Sequence, residues 1–199
     1  LASSAASDVY KRQEETSIRF KEMERRASTS LAKWFVQDDE RAELLKLENG
    51  LDLQRCVRLP LASRSGGCFP ADRLRDDLGV PKQSKVAILL GSLASWSMSP
   101  DVLRSVRSLP RVWCLIVHGR YGRTHEYINS FMPELFASLG DRVFISDAPV
   151  DMIDDMGYVL SGVDVGLAFY RPDYSNRHTG KNIEYLGLAS GKIGTFLRY

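Results

Sequence analysis

Four apolar runs alternating with helix-period segments after Pro81 predict an α/β fold, a doubly wound parallel sheet with helices on both faces. Two observations support this. The runs are apolar at consecutive positions rather than alternate ones, as in strands buried on both faces. Each pair of runs is separated by one segment of about helical length, as parallel crossovers require.

Upstream of that region the pattern is less regular. Leu1 to Gln13 contains Ser7-Asp8-Val9-Tyr10-Lys11-Arg12-Gln13, which resembles translated sequencing-adapter sequence, an assembly scar that plays no part in the fold expected here. On that reading the natural start lies upstream and the chain is a fragment. Glu14 to Ser30 is charged and free of Gly and Pro, with Ile18, Phe20, Met23 and Ala27 forming a thin apolar stripe. It predicts a helix lying against something absent or later in the chain, with Arg25-Arg26 on a solvated face. Lys33 to Gln37 reads as a short strand. Asp38-Asp39-Glu40-Arg41 opens a helix through Leu47 that Asn49-Gly50 stops, Cys56 to Leu61 reads as a second strand, and Ser63 to Pro70 as a connector.

The regular region begins with Val86 to Leu90, ending at Gly91. A helix follows from Pro100 to Leu109, with Ser99 as its expected N-cap and Pro100 in its first position. Val112 to Val117 is the second run, ending at His118-Gly119. The second helix spans His125 to Leu139 despite Pro133, with Gly140 closing it. Arg142 to Ser146 is the third strand, Val150 to Leu160 the third helix, and Val163 to Phe169 the fourth strand. Trp113 is expected in the core mid-strand. Trp96, in the loop after Gly91, suits either anchoring that loop or covering a ligand.

Composition narrows the function classes. Seven of the 27 Lys/Arg and five of the 25 Asp/Glu fall in residues 1–33, leaving 20 of each in the remainder. A neutral folded part argues against a nucleic-acid footprint, which needs a strongly basic face. No run approaches the ~20 apolar residues of a membrane span, and a soluble, cytoplasmic protein is expected. Cys56, Cys68 and Cys114 are odd in number and lack paired metal-ligand spacing, so reduced, packing thiols are expected.

In a sheet of this kind the ligand crevice lies beyond the carboxyl ends of the strands. The residues there are Gly91-Ser92 after the first run, His118-Gly119-Arg120 after the second, Asp147 after the third and Tyr170-Arg171 after the fourth. Glycines permit close backbone approach, and the others supply hydrogen bonds and charge suited to a phosphorylated ligand. Glycines also end strands simply to make turns. His118 suits either a donor contact or a turn-stabilising role. His125 and His178 read as surface residues, and Asp147 and Asp164 as caps for nearby loops.

Gly187 to Tyr199 (GLASGKIGTFLRY) is the strongest local signal. Ser190 can cap a helix whose first free amides belong to Gly191, Lys192 and Ile193, and Lys192 adds a full positive charge for a diphosphate. The same residues suit an ordinary capped helix with an exposed lysine. They do not form a P-loop, because Gly187 is one residue too close to Gly191-Lys192 and Ile193 replaces the magnesium-binding hydroxyl.

The succession Val86 to Leu93 (VAILLGSL), Leu115 to Arg120 (LIVHGR), Val163 to Tyr170 (VDVGLAFY) and Gly187 to Tyr199 resembles the C-terminal, nucleotide-sugar-binding domain of GT-B glycosyltransferases. The subgroup it looks most like is the bacterial family-four-like enzymes with an S-G-K helix start. Val36 to Ala42 and Leu59-Pro60 resemble the end of those enzymes' N-terminal domain and the crossing into the second. The resemblance covers about residues 34–199.

It implies residues 14–79 as a remnant of the acceptor domain and linker, and residues 80–199 as a Rossmann-like half of a GT-B fold, truncated at its C-terminus. The implied activity is transfer of a sugar from a nucleotide-diphosphate donor to a saccharide or lipid-linked acceptor. No metal or other cofactor and no nucleic acid would take part, and peripheral membrane association would come through the missing upstream domain. Carried over, Gly91 and Ser92 would line the pyrophosphate and sugar, and Arg120 and Lys192 would be charge partners. Ser190 and Gly191 would contribute the helix start, with His118, Tyr170 and Glu184 as further donor contacts. Many relatives carry two glutamates eight positions apart, but here Glu184 is followed at that spacing by Lys192, and by helix alignment the acidic places fall on Gly187 and Thr195. The chain also ends where the family continues with Gly-x-Pro-Val-Ile, and the fragment alone is expected to have little or no turnover, because the acceptor surface and any general base would come mainly from the absent domain. A GT-B-like sugar-nucleotide epimerase and a non-catalytic nucleotide-binding module are the alternatives.

Overall fold

The computed structural model of the protein describes residues 18–61, 72–119, 124–138, 140–147, 156–174, 181–184, 186 and 190–199. The chain divides into two compact units, Leu1–Pro60 and Leu61–Tyr199.

In the first unit a helix, α1 (18–28), precedes strand β1 (Trp34–Val36), helix α2 (Asp39–Asn49) and strand β2 (Cys56–Arg58). Asp38 accepts a hydrogen bond from the Arg41 amide at 2.8 Å and so fills the N-cap of α2. Gly50 ends that helix in the left-handed region, φ 69°. The strands pair in parallel across this βαβ crossover, and Trp34, Val36, Ala42 and Leu51 form a small core. What α1 lies against is α2. The contacts are polar, with the Arg25 Nε donating to the Glu48 carbonyl at 2.8 Å and the Asn49 amide to Glu24 at 2.9 Å. Its apolar stripe stays in water, Phe20 and Met23 being 65% and 63% exposed.

The second unit is α/β, a four-stranded parallel sheet flanked by helices and compatible with a Rossmann-like arrangement. Its strands are β3 (Lys85–Gly91), β4 (Trp113–Gly119), β5 (Val143–Ser146) and β6 (Val165–Leu167), in spatial order β5-β4-β3-β6. Alternate residues of the central strands enter two cores. Val86, Ile88, Leu90, Cys114 and Ile116 pack with Leu74 of α3 (Arg73–Leu78) and with Met156, Val159 and Leu160 of α7 (Met156–Leu160). Ala87, Leu89, Leu115 and Val117 pack with Val102 and Leu103 of α4 (Ser99–Ser105) and Ile128 of α5 (Thr124–Phe131). Each fully buried aliphatic side chain contributes about 1.5–3 kcal/mol. This two-sided burial is what the continuous apolar runs encode. Helix α3, grouped with the upstream segment on sequence, belongs to this second unit.

Three expectations need correction. The single helix over His125 to Leu139 is two, α5 and α6 (Pro133–Ser138), because Pro133 has no N–H to donate and its ring opposes continuation from the preceding turn. Ser99 is not the N-cap of α4. That place falls to Met98, at φ 53°, while Ser99 lies inside the helix with its hydroxyl 2.7 Å from that of Ser97. Trp113 is not mid-strand but the first residue of β4, half-buried, with the Lys85 ammonium 5.7 Å from its ring centroid. Most of the third helix expected from Val150, together with Cys68 and His178, lies outside the described residues. Cys114 is buried in the core and Cys56 half-buried.

Candidate functional site

The strand order fixes where a crevice opens. The chain runs from β3 to β4 to β5 in one direction, then returns to place β6 on the far side of β3. At such a reversal the connections leave the sheet on opposite sides, and the space beyond the carboxyl ends of the two strands stays open. Gly91 ends β3 there, and Tyr170 follows β6.

A third element, helix α9 (Gly191–Phe196), meets these two strand ends. Gly166 of β6 explains its position. A Cβ there would lie 2.6 Å from the Phe196 ring, so only a bare backbone lets that ring sit on the strand. Phe196 also packs against the core shared by β3, β4 and α7. With Phe196 seated, Lys192 runs past Gly91, whose φ is 94° and where a Cβ would come within 3.2 Å of the Lys192 Cε. Glycine is needed twice here, for the left-handed backbone and for the passage of the lysine stem.

The Lys192 Nζ is buried and has no hydrogen-bond partner among the described residues. Its near neighbour is the Tyr170 ring, 5.4 Å from ammonium to centroid. Burial lowers its pKa from 10.5 to about 8. This is not the exposed lysine of an ordinary surface helix. The Tyr170 hydroxyl lies 2.7 Å from the Ser190 Oγ, and burial raises the phenol's pKa, keeping it protonated. Ser190 caps α9 by accepting from the Ile193 amide at 3.2 Å. One of the three amides expected to face an anion is therefore already engaged. The Thr195 hydroxyl is engaged too, donating to the Gly191 carbonyl at 2.8 Å.

The loop from Ser92 to Met98 forms another wall. The Ser97 hydroxyl accepts from the Ala94 amide at 3.0 Å and donates to the Ser92 carbonyl at 2.8 Å. Met98 holds a left-handed conformation that a long side chain rarely adopts. Trp96 lies parallel to Tyr170, ring centroids 6.3 Å apart, and its carbonyl accepts from the Arg171 amide at 2.8 Å. This geometry fits Trp96 as an anchor, since it ties the β3 loop to the β6 loop. Nothing in the local sequence around Ser97 or Trp96 announced either contact.

The remaining residues singled out on sequence fall elsewhere. His118 is 4% exposed and its Nδ1 is 2.8 Å from the Ser146 Oγ. Burial pushes its pKa down while Asp147 pulls it up, an environment that fits the turn-stabilising alternative. Asp147 caps α5, accepting from the Thr124 and His125 amides at 2.7 and 3.1 Å. Asp164 accepts from the Val86 amide at 2.7 Å, and His125 is exposed. Glu184, at the end of α8 (Lys181–Glu184), is exposed and accepts from the Tyr174 hydroxyl, and no described contact joins it to Lys192. Arg120 lies outside the described residues. The structure thus brings Gly91, Tyr170, Ser190, Gly191 and Lys192 together, with Ser92 opening the adjoining loop.

Among the described residues, no three His, Cys, Asp or Glu side chains are grouped as metal ligands would be. None of the described helices is long and apolar enough to cross a membrane. Compared with known proteins, the chain matches no family model and no curated protein.

Proposed function

We propose that the second unit is the nucleotide-sugar-binding half of a GT-B glycosyltransferase, with Lys192 as the cation that meets the donor's diphosphate. The observation that carries this reading is the Lys192 amine, buried beside Gly91 at the end of β3 with no acceptor among the described residues. A buried ammonium is costly unless an anion completes it. A diphosphate ester would do so, and Gly91 would let its oxygens approach the backbone closely.

Transfer of the sugar breaks the bond between the anomeric carbon and the diphosphate, so negative charge develops on the leaving oxygen. A preorganised ammonium stabilises that charge most where water is excluded. The acceptor, a saccharide or a lipid-linked one, and the cytoplasmic setting of a donor-using enzyme belong to the same reading. The four sequence motifs support it together with the three-element convergence on one crevice.

Isothermal titration with UDP-, GDP- and ADP-sugars and their nucleosides tests it. One diphosphate sugar binds, and Lys192→Ala weakens that binding roughly tenfold to a hundredfold, the range for one hydrogen bond to a charged group, while nucleoside binding barely changes. Equal losses for both ligands, or no binding by any donor, contradict the reading.

A further inference from the structure

Tyr170 meets both the loop after β3 and the start of α9. Its hydroxyl reaches Ser190, its ring lies parallel to Trp96, and the same ring faces the Lys192 ammonium at 5.4 Å. The lysine has no described hydrogen-bond acceptor, so the aromatic face is the electrostatic partner that the described residues offer its charge. A long lysine stem has several rotatable bonds, and an ammonium without such a partner would turn toward water.

We propose that Tyr170 is a positioning residue, whose ring face holds the Lys192 ammonium toward the crevice between β3 and β6 so that an incoming diphosphate meets a cation already oriented. The ligand class rests on the function proposed above, whereas the pairing of ring and ammonium does not. The part that acts is the π face. The hydroxyl contributes through Ser190 and is separable from it. Nothing about main-chain geometry demands an aromatic residue here, whereas a cation desolvated by its surroundings gains substantially from one.

The test uses the full chain with Tyr170 replaced by phenylalanine, by mono-, di- and trifluorinated phenylalanines, and by leucine. Fluorination drains the negative face of the ring with little change in shape. The titration of Lys192 is followed by the NMR signal of its labelled side chain, identified by its absence from the Lys192→Met spectrum. The midpoint stays close to that of the natural protein in Tyr170→Phe, falls stepwise along the fluorinated series, and falls furthest in Tyr170→Leu. Affinity for inorganic pyrophosphate at pH 7.5 drops in the same order, reaching roughly fivefold to thirtyfold in the leucine variant.

A midpoint that is flat or rises along the fluorinated series overturns the proposal whatever happens to ligand binding. The fluorinated series remains decisive if Tyr170→Leu fails to fold. Absence of pyrophosphate binding by the natural protein counts instead against the proposed function, and leaves the lysine titration to decide the role of Tyr170.

Discussion

Burial of the Lys192 ammonium costs the folded chain stability. Its amine gives up a proton at about 8 in the folded chain and at 10.5 when unperturbed. Between those values the unfolded chain holds more protons, so stability rises with pH across that window and the full cost is present below about 8. Discounted for partial hydration, the cost is about 1–3 kcal/mol. Lys192→Met is therefore expected to raise the melting temperature at pH 7, with the gain shrinking toward pH 10.5, as calorimetry across that range would show. A variant less stable than the parent at pH 7 would mean that the ammonium is paired. Gly91→Ala works in the opposite direction. A side chain at φ 94° against the Lys192 stem costs about 1–2 kcal/mol, measurable by denaturant titration, and weakens diphosphate binding by shifting the lysine. Gly91, Tyr170, Ser190 and Lys192 were readable in sequence because each sits just past an apolar run or opens a helix. The parallel rings of Trp96 and Tyr170 were not, since residues so far apart in the chain meet only once the strand order is known.

Helix α9 owes its place to one missing side chain on β6. Gly166→Ala would set a methyl group within 2.6 Å of the Phe196 ring, overpacking that costs about 1–3 kcal/mol. The ring must move, and Lys192 with it, so the variant is expected to lose both stability and diphosphate affinity. Phe196→Leu, which removes the clash, is expected to restore part of the stability in the double variant, as a double-mutant cycle would measure. The strands themselves were legible, because burial on both faces leaves an uninterrupted apolar run and Val86 to Leu90 needs no tertiary context to be recognised. The helices were less so. Pro133 splits one expected helix in two, and Ser99 looks like a cap by type although the Ser97 hydroxyl claims it. Both outcomes turn on competition for hydrogen bonds, which spacing alone does not express.

The two units have separate cores, and the proposed chemistry belongs to the second. Binding of a diphosphate ligand should slow amide exchange where β3, β6 and α9 converge and leave β1, α2 and β2 unchanged, since stabilisation by mass action is confined to what the ligand holds together. Protection spread equally over both units would argue against a site confined to the second. Strand order β5-β4-β3-β6 could not be read from the sequence, which shows four runs but not that the last returns beside the first. That return sets β6 beside β3, where Lys192 runs past Gly91 and burial lowers its pKa. The most direct test is the affinity for a nucleotide sugar, taken relative to that for its own nucleoside so that ionisation of the base cancels, measured from pH 7 to pH 10, a range in which the diphosphate diester does not titrate. Affinity that is level below about pH 8 and then falls by up to tenfold per pH unit, with Lys192→Ala weak and level throughout, is the predicted result. A natural protein whose affinity is unchanged across that range would contradict it.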